Sequence, residues 1–146
     1  MIKEGGNHVS RKLDAAIAEG LGKDVRWKKW ETRGGFDVFT DASPGEKGAD
    51  AYFFHNEHLI DAVPHYFEDG NDMLDLDAEM RARGYWLDTL RYFTVVDTNG
   101  CLQGWWRVVY WKRERNGEFY HACANTELLA RTLAVHKALT GKEWKE

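Results

Sequence analysis

Three histidines fall close together, His55, His58 and His65, with Glu57, Asp61 and Asp69 as neighbouring oxygen donors. Imidazole and carboxylate together make zinc sites. The spacing His55-x-x-His58 is not the His-Glu-x-x-His pattern of a metal-binding helix, however, and no second compact cluster completes four ligands. The expectation is no metal and no cofactor. Asp72, Asp75 and Glu79 stand at i, i+3 and i+7 of a helical pattern, one face of carboxylates that could hold a cation. A solvated face with favourable first-turn charge accounts for the same residues. Nucleophiles are scarce. Of the two serines, Ser10 reads as a helix cap and Ser43 precedes a proline. Cys123 lies beside His121, but we read the two side chains onto opposite faces of a strand, which denies them a nucleophile–base contact. No glycine-rich phosphate loop of standard spacing occurs. The chain therefore reads as non-enzymatic.

Binding chemistry has more material. Trp105, Arg107, Trp111 and Arg113 alternate along one run, and arginine among aromatics is a known platform for stacking single-stranded bases. A sheet face sealed by a helix explains the same residues. From Asp41 to Met80 there are eleven acids against one base, Lys47, so this segment carries −10 in a chain of net charge −4. Such a surface could mimic a phosphate backbone, with Glu57, Asp61, Glu68, Asp75 and Glu79 as its contact residues. The loop His65, Tyr66, Asp69, Asn71 and Asp72, at the start of a helix, is the other candidate binding element. The net charge argues against direct nucleic-acid binding.

These residues need elements to hold them. The pattern predicts a helix from Ser10 to about Gly22, with Leu13, Ile17 and Leu21 as its apolar stripe. A short strand is expected at Phe36–Thr40, after a break at Gly34-Gly35. An insertion-like loop follows over about 41–62, with a short helix after Asn56. The helix from Asn71 to Arg83 has complete signals: Asn71 or Asp72 as cap, Asp75 in the first turn, Met73, Leu76 and Met80 on one face, and Gly84 as a left-handed stop. Trp86–Asp97, Cys101–Arg115 and Glu118–Ala124 are rich in aromatic and β-branched residues. Asn99-Gly100 and Asn116-Gly117 lie between them, the strongest short-range hairpin signal. With two-residue loops, Trp106 falls opposite Phe93 and Tyr110 opposite Cys123. Cys101 and Cys123 then face opposite sides, and no disulfide is expected. Both faces are apolar enough to be covered by helices. A last helix runs from Thr126 to Thr140, capped by Asn125 or Thr126 and ended by Gly141, with Trp144 folding back. The fold class is α+β: an antiparallel sheet of three to four strands with helices on its faces, in one domain of 146 residues.

Two segments resemble a known family. VPHYFEDGNDMLDLDAEMRARGY (63–85) and HACANTELLARTLAVHKALTGKEW (121–144) resemble the loop-plus-helix and the closing helix of the phage α-β-α sandwich domain family, and GWWRVVY (104–110) suits its central sheet. Phe67 and Glu68 stand where that family commonly has a Ser-Thr or Cys-Asn pair. The resemblance implies a phage or prophage accessory protein without catalytic residues. It would act in the host cytoplasm by contact with a host protein, modulating or inhibiting a host system. Small-molecule or nucleotide binding at Tyr66–Asp72 is the alternative. No apolar run reaches the roughly 20 residues of a membrane span, no leader segment is expected, and a homodimer stays open.

Overall fold

The computed structural model describes residues 6–113 and 118–145, with side chains from Arg11 onward. It is an α+β fold with three helices and two antiparallel sheets. The chain divides into two compact units, one extending to Pro64 and the other spanning His65–Lys145.

The first unit contains helix α1 (Gly6–Gly20) and strands β1 (Asp24–Arg33), β2 (Phe36–Asp41), β3 (Asp50–His55) and β4 (His58–Ala62), in the order β2-β1-β3-β4. Leu13, Ile17 and Leu21 are buried, as the apolar stripe requires. Ser10 lies inside α1 rather than at its start, so the expected cap is a helix-interior residue. Gly34 and Gly35 do more than break a run. Both take positive φ, and Arg33 pairs with Phe36, a two-residue hairpin turn. The strand beginning at Phe36 exists, but it belongs to this sheet and not to the tryptophan-rich meander.

Residues 50–62 also differ from the loop and short helix expected there. They pair as the hairpin β3–β4, turning at Asn56 and Glu57, which both have positive φ. Asn tolerates that conformation and Glu resists it. A paired carboxylate holds Glu57 in place: both its oxygens accept from Arg26 at 2.8 Å. Arg11 ties the unit together. Its guanidinium donates to Asp14, Asp50 and the carbonyls of Val63 and Pro64, so one buried cation is met by two carboxylates and two backbone oxygens.

The second unit contains α2 (Gly70–Ala82), β5 (Tyr85–Val96), β6 (Leu102–Lys112), β7 (Glu118–Ala124) and α3 (Glu127–Thr140), with strand order β5-β6-β7. The cap of α2 is Asp69, two residues earlier than expected; its carboxylate accepts from the amides of Asn71 and Asp72. Thr126 caps α3 through the Leu129 amide, and Gly141 closes it with φ 74°. Gly84, at φ 90°, follows α2.

The meander forms, but in a different register. Asn99-Gly100 belongs to a three-residue loop, Thr98–Gly100: the Asp97 amide donates to the Cys101 carbonyl, and the Asp97 carboxylate accepts from the Asn99 and Cys101 amides. Tyr92 therefore pairs with Trp106, and Phe93 with Trp105. That one-residue slip moves the β5 side chains from Thr89 to Val96 to the other face relative to the two-residue reading. At the second turn Lys112 already pairs with Glu118, placing Tyr110 opposite Tyr120 and Cys123 opposite Arg107; Asn116-Gly117 itself lies outside the described residues. A bulge between Leu87 and Thr89 shifts the phase once more. Both thiols are free and exposed, Cys101 immediately following the first loop.

Helices cover one face of this sheet, not two. Val108, Tyr110 and Ala124 are buried on it. The Tyr110 hydroxyl donates to Asp77 of α2 at 2.9 Å, and the Tyr85 hydroxyl donates to the Ala138 carbonyl of α3. The opposite face carries exposed Arg91, Arg107, Phe119, His121 and Cys123.

Candidate functional site

The sequence-derived candidates divide by what each group already does. In the loop before α2, the Asp72 carboxylate accepts from the His65 amide at 2.8 Å, and the His65 carbonyl accepts from the Glu68 and Asp69 amides. With Asp69 capping the helix, this loop spends its carboxylates on its own backbone. Tyr66 is buried, which gives the His65-Tyr66-Phe67 sequence a packing role; His65 and Asn71 are exposed. Among the acids, Glu57 and Asp61 belong to the first unit. Glu57 is held by Arg26, which keeps its carboxyl below the ordinary range. Asp61 accepts from the Ala62 amide. Glu68, Asp75 and Glu79 belong to the second unit, where Glu79 pairs with Arg83 at 3.5 Å. His55 and His58 face each other across the β3–β4 turn. Among the described residues no group of three or more His, Cys, Asp or Glu is placed to hold a metal ion.

Charge is paired on the covered face of the second sheet. Asp77 receives the Tyr110 hydroxyl and lies 3.4 Å from Arg131, which also meets Glu127. Burial, then the Asp77 carboxylate, pushes the Tyr110 phenol well above its usual range, so it stays neutral and donates.

Register orders the open face into cross-strand rows, four of which frame the candidate site. Phe93 lies opposite Trp105. Arg91 lies opposite Arg107, which lies opposite Cys123. Thr89 lies opposite Val109, which lies opposite His121. Trp86 lies opposite Trp111, which lies opposite Phe119. Two arginines and a histidine are thus bracketed by aromatic rows. Arg91, Arg107, Thr89, Val109, Phe119 and His121 line a shallow cavity of about 490 Å³, in which Asp88 is the one acid. Neither guanidinium forms an ion pair or hydrogen bond among the described residues. Like charges directly opposite on one sheet face are destabilising, so this arrangement is not accounted for by folding.

The sequence pattern pointed to Trp105, Arg107 and Trp111, but Arg113 falls just past the end of β6. Arg91, Phe119 and His121 were missed because their membership depends on both turn registers. His121 and Cys123, read onto opposite faces, share this one: residues two apart on a strand point the same way.

Beyond the helix-covered part, the long β5–β6 hairpin leaves apolar groups uncovered. Leu90, Tyr92, Val96 and Leu102 continue the face of Val108, and Val96 and Leu102 are 65% and 73% exposed. Tyr92 stacks beside Trp106 at 5.1 Å and lies across Gly104, where a Cβ would collide with its ring. Among the described residues, the outer edge of β5 has no strand partner. No helix among the described residues is long and apolar enough to cross a membrane. Compared with known proteins, the sequence matches no family model and no curated protein.

Proposed function

We propose that this protein acts by contact with another protein rather than by catalysis, and that β5 is the strand it offers. The observation that carries this reading is a coincidence over Leu90–Val96: an unpaired strand edge and exposed apolar side chains occupy the same residues. Natural edge strands are blunted by lysine, proline or short length. Here β5 runs 12 residues with neither residue in it, and its one bulge, between Leu87 and Thr89, lies before the exposed stretch Leu90–Val96. The matching occupant is an extended segment of a partner protein, apolar at alternate positions. Main-chain hydrogen bonds supply its affinity, and the Tyr92–Val96 side chains supply its selectivity.

The resemblance of residues 63–85 and 121–144 to the phage α-β-α sandwich domain supports the setting: a phage- or prophage-encoded accessory protein in the host cytoplasm, modulating or inhibiting a host system. Mimicry of nucleic acid by an acidic surface has less support, because Glu57, Asp61 and Glu79 have local partners. Ligand binding at Tyr66–Asp72 has less support for the same reason, since Asp69 and Asp72 serve the helix start.

A photocrosslinking residue at Val95, compared with one at exposed Leu74 on α2, tests the reading in host cytosol. The expected result is one adduct at Val95 that is absent at Leu74. The adducted protein, once purified, should slow amide exchange across Tyr92–Val96. Unchanged exchange there, or adducts formed only between copies of this chain, would overturn the assignment of a foreign partner.

A further inference from the structure

We infer that the open face of the second sheet binds a phosphate that carries a planar base, the chemistry shared by a nucleotide and a single-stranded nucleic acid. This site shares strand β5 with the partner-docking edge, since Arg91 and Phe93 lie within Leu90–Val96, but it uses the opposite face from Leu90, Tyr92 and Val96 and does not depend on that reading. It rests on the order of the rows. Side chains two residues apart on a strand rise from the same face about 6.8 Å apart. The Arg91–Arg107 row therefore has the Phe93–Trp105 row one step to one side. The Thr89–Val109–His121 row, then the Trp86–Trp111–Phe119 row, follow on the other.

Two guanidiniums held opposite each other, with no acid paired to either, converge on a point where an anion removes the repulsion. Guanidinium matches phosphate geometry through paired N–H donors. His121 supplies a further polar group in the next row, where the Thr89 hydroxyl already donates to Asp88, and the cavity of about 490 Å³ between the rows is open to solvent. A phosphate seated on the arginines leaves an attached base one row from Trp105 or within reach of Phe119, which is 57% exposed. Stacking on such rings tolerates any base, so selectivity comes from the phosphate and not from sequence. The net charge of −4 argued against nucleic acid, but that sum is taken over the whole chain. Locally this cavity has two arginines and a histidine against Asp88 alone.

The full chain is titrated with inorganic phosphate, ATP and a thymine oligonucleotide of about ten nucleotides, using tryptophan fluorescence at low and high salt. Alkylation of Cys123, which lies opposite Arg107, is followed alongside that of Cys101 just after the distant loop. The expected result is salt-sensitive binding of ATP or of the oligonucleotide, tighter than that of inorganic phosphate, with Cys123 protected and Cys101 not. Arg91→Gln and Arg107→Gln should each weaken binding about tenfold, the loss of one charge-assisted contact. The stronger of the two base-bearing probes identifies the source. Three results would overturn the inference: no binding of any probe, phosphate binding as tightly as the base-bearing probes, or affinity and Cys123 protection unchanged in both single variants.

Discussion

Two faces of one three-stranded sheet treat arginine in opposite ways. On the covered face Arg131 meets Asp77 and Glu127, and Asp77 also accepts from Tyr110. On the open face Arg91 and Arg107 face each other with no acid paired to either among the described residues. A buried charge must be paired or the fold is lost. An exposed charge can be left over, and what is left over is available for binding. The contrast separates charges that hold the sheet to its helices from charges that the fold does not need.

The largest test of that contrast is Asp77→Ala. It strands the Arg131 guanidinium and the Tyr110 hydroxyl together and should cost about 3 kcal/mol, measured by chemical denaturation. Tyr110→Phe removes one donor while leaving the Asp77–Arg131 pair, and should cost about 1 kcal/mol. Arg107→Gln on the open face should leave stability unchanged or raise it by about 0.5 kcal/mol or less, because it relieves a like-charge pair. A loss above 1 kcal/mol there would mean that Arg107 has a folding role, and the contrast between the faces would collapse.

What was legible in the sequence follows the range of the interactions involved. Thr126, Gly141 and Gly84 act within a few residues, and each does what its type dictates. The strand runs at 85–96, 102–112 and 118–124 were likewise readable from composition. Register was not. Asn99-Gly100 signals a hairpin, but the loop length is decided by the Asp97 carboxylate closing on two amides, a choice that local propensity does not separate from a tight two-residue turn. Because that choice sets the facing of β5 from Thr89 to Val96, the partners of Arg107 could not be read correctly without it. The strands β3 and β4 were hidden for a different reason. They are short, they follow a glycine- and proline-containing loop, and their turn places a glutamate at positive φ. The covering of both sheet faces was inferred from apolar content alone, and aromatic rows that remain open look the same in sequence as rows that are sealed.

The bulge between Leu87 and Thr89 divides β5 into two blocks that alternate out of step. Tyr85 and Leu87 share a side with Leu90 and Tyr92 across the extra residue Asp88. A deletion of that single codon would make Leu87 and Thr89 neighbours opposite their present partners Tyr110 and Val109, so the bulge would close while every side chain kept its face. The bulge can thus be gained or lost without exchanging the two surfaces of the strand, and the hairpin can change its bend while Tyr85 keeps its anchorage to α3.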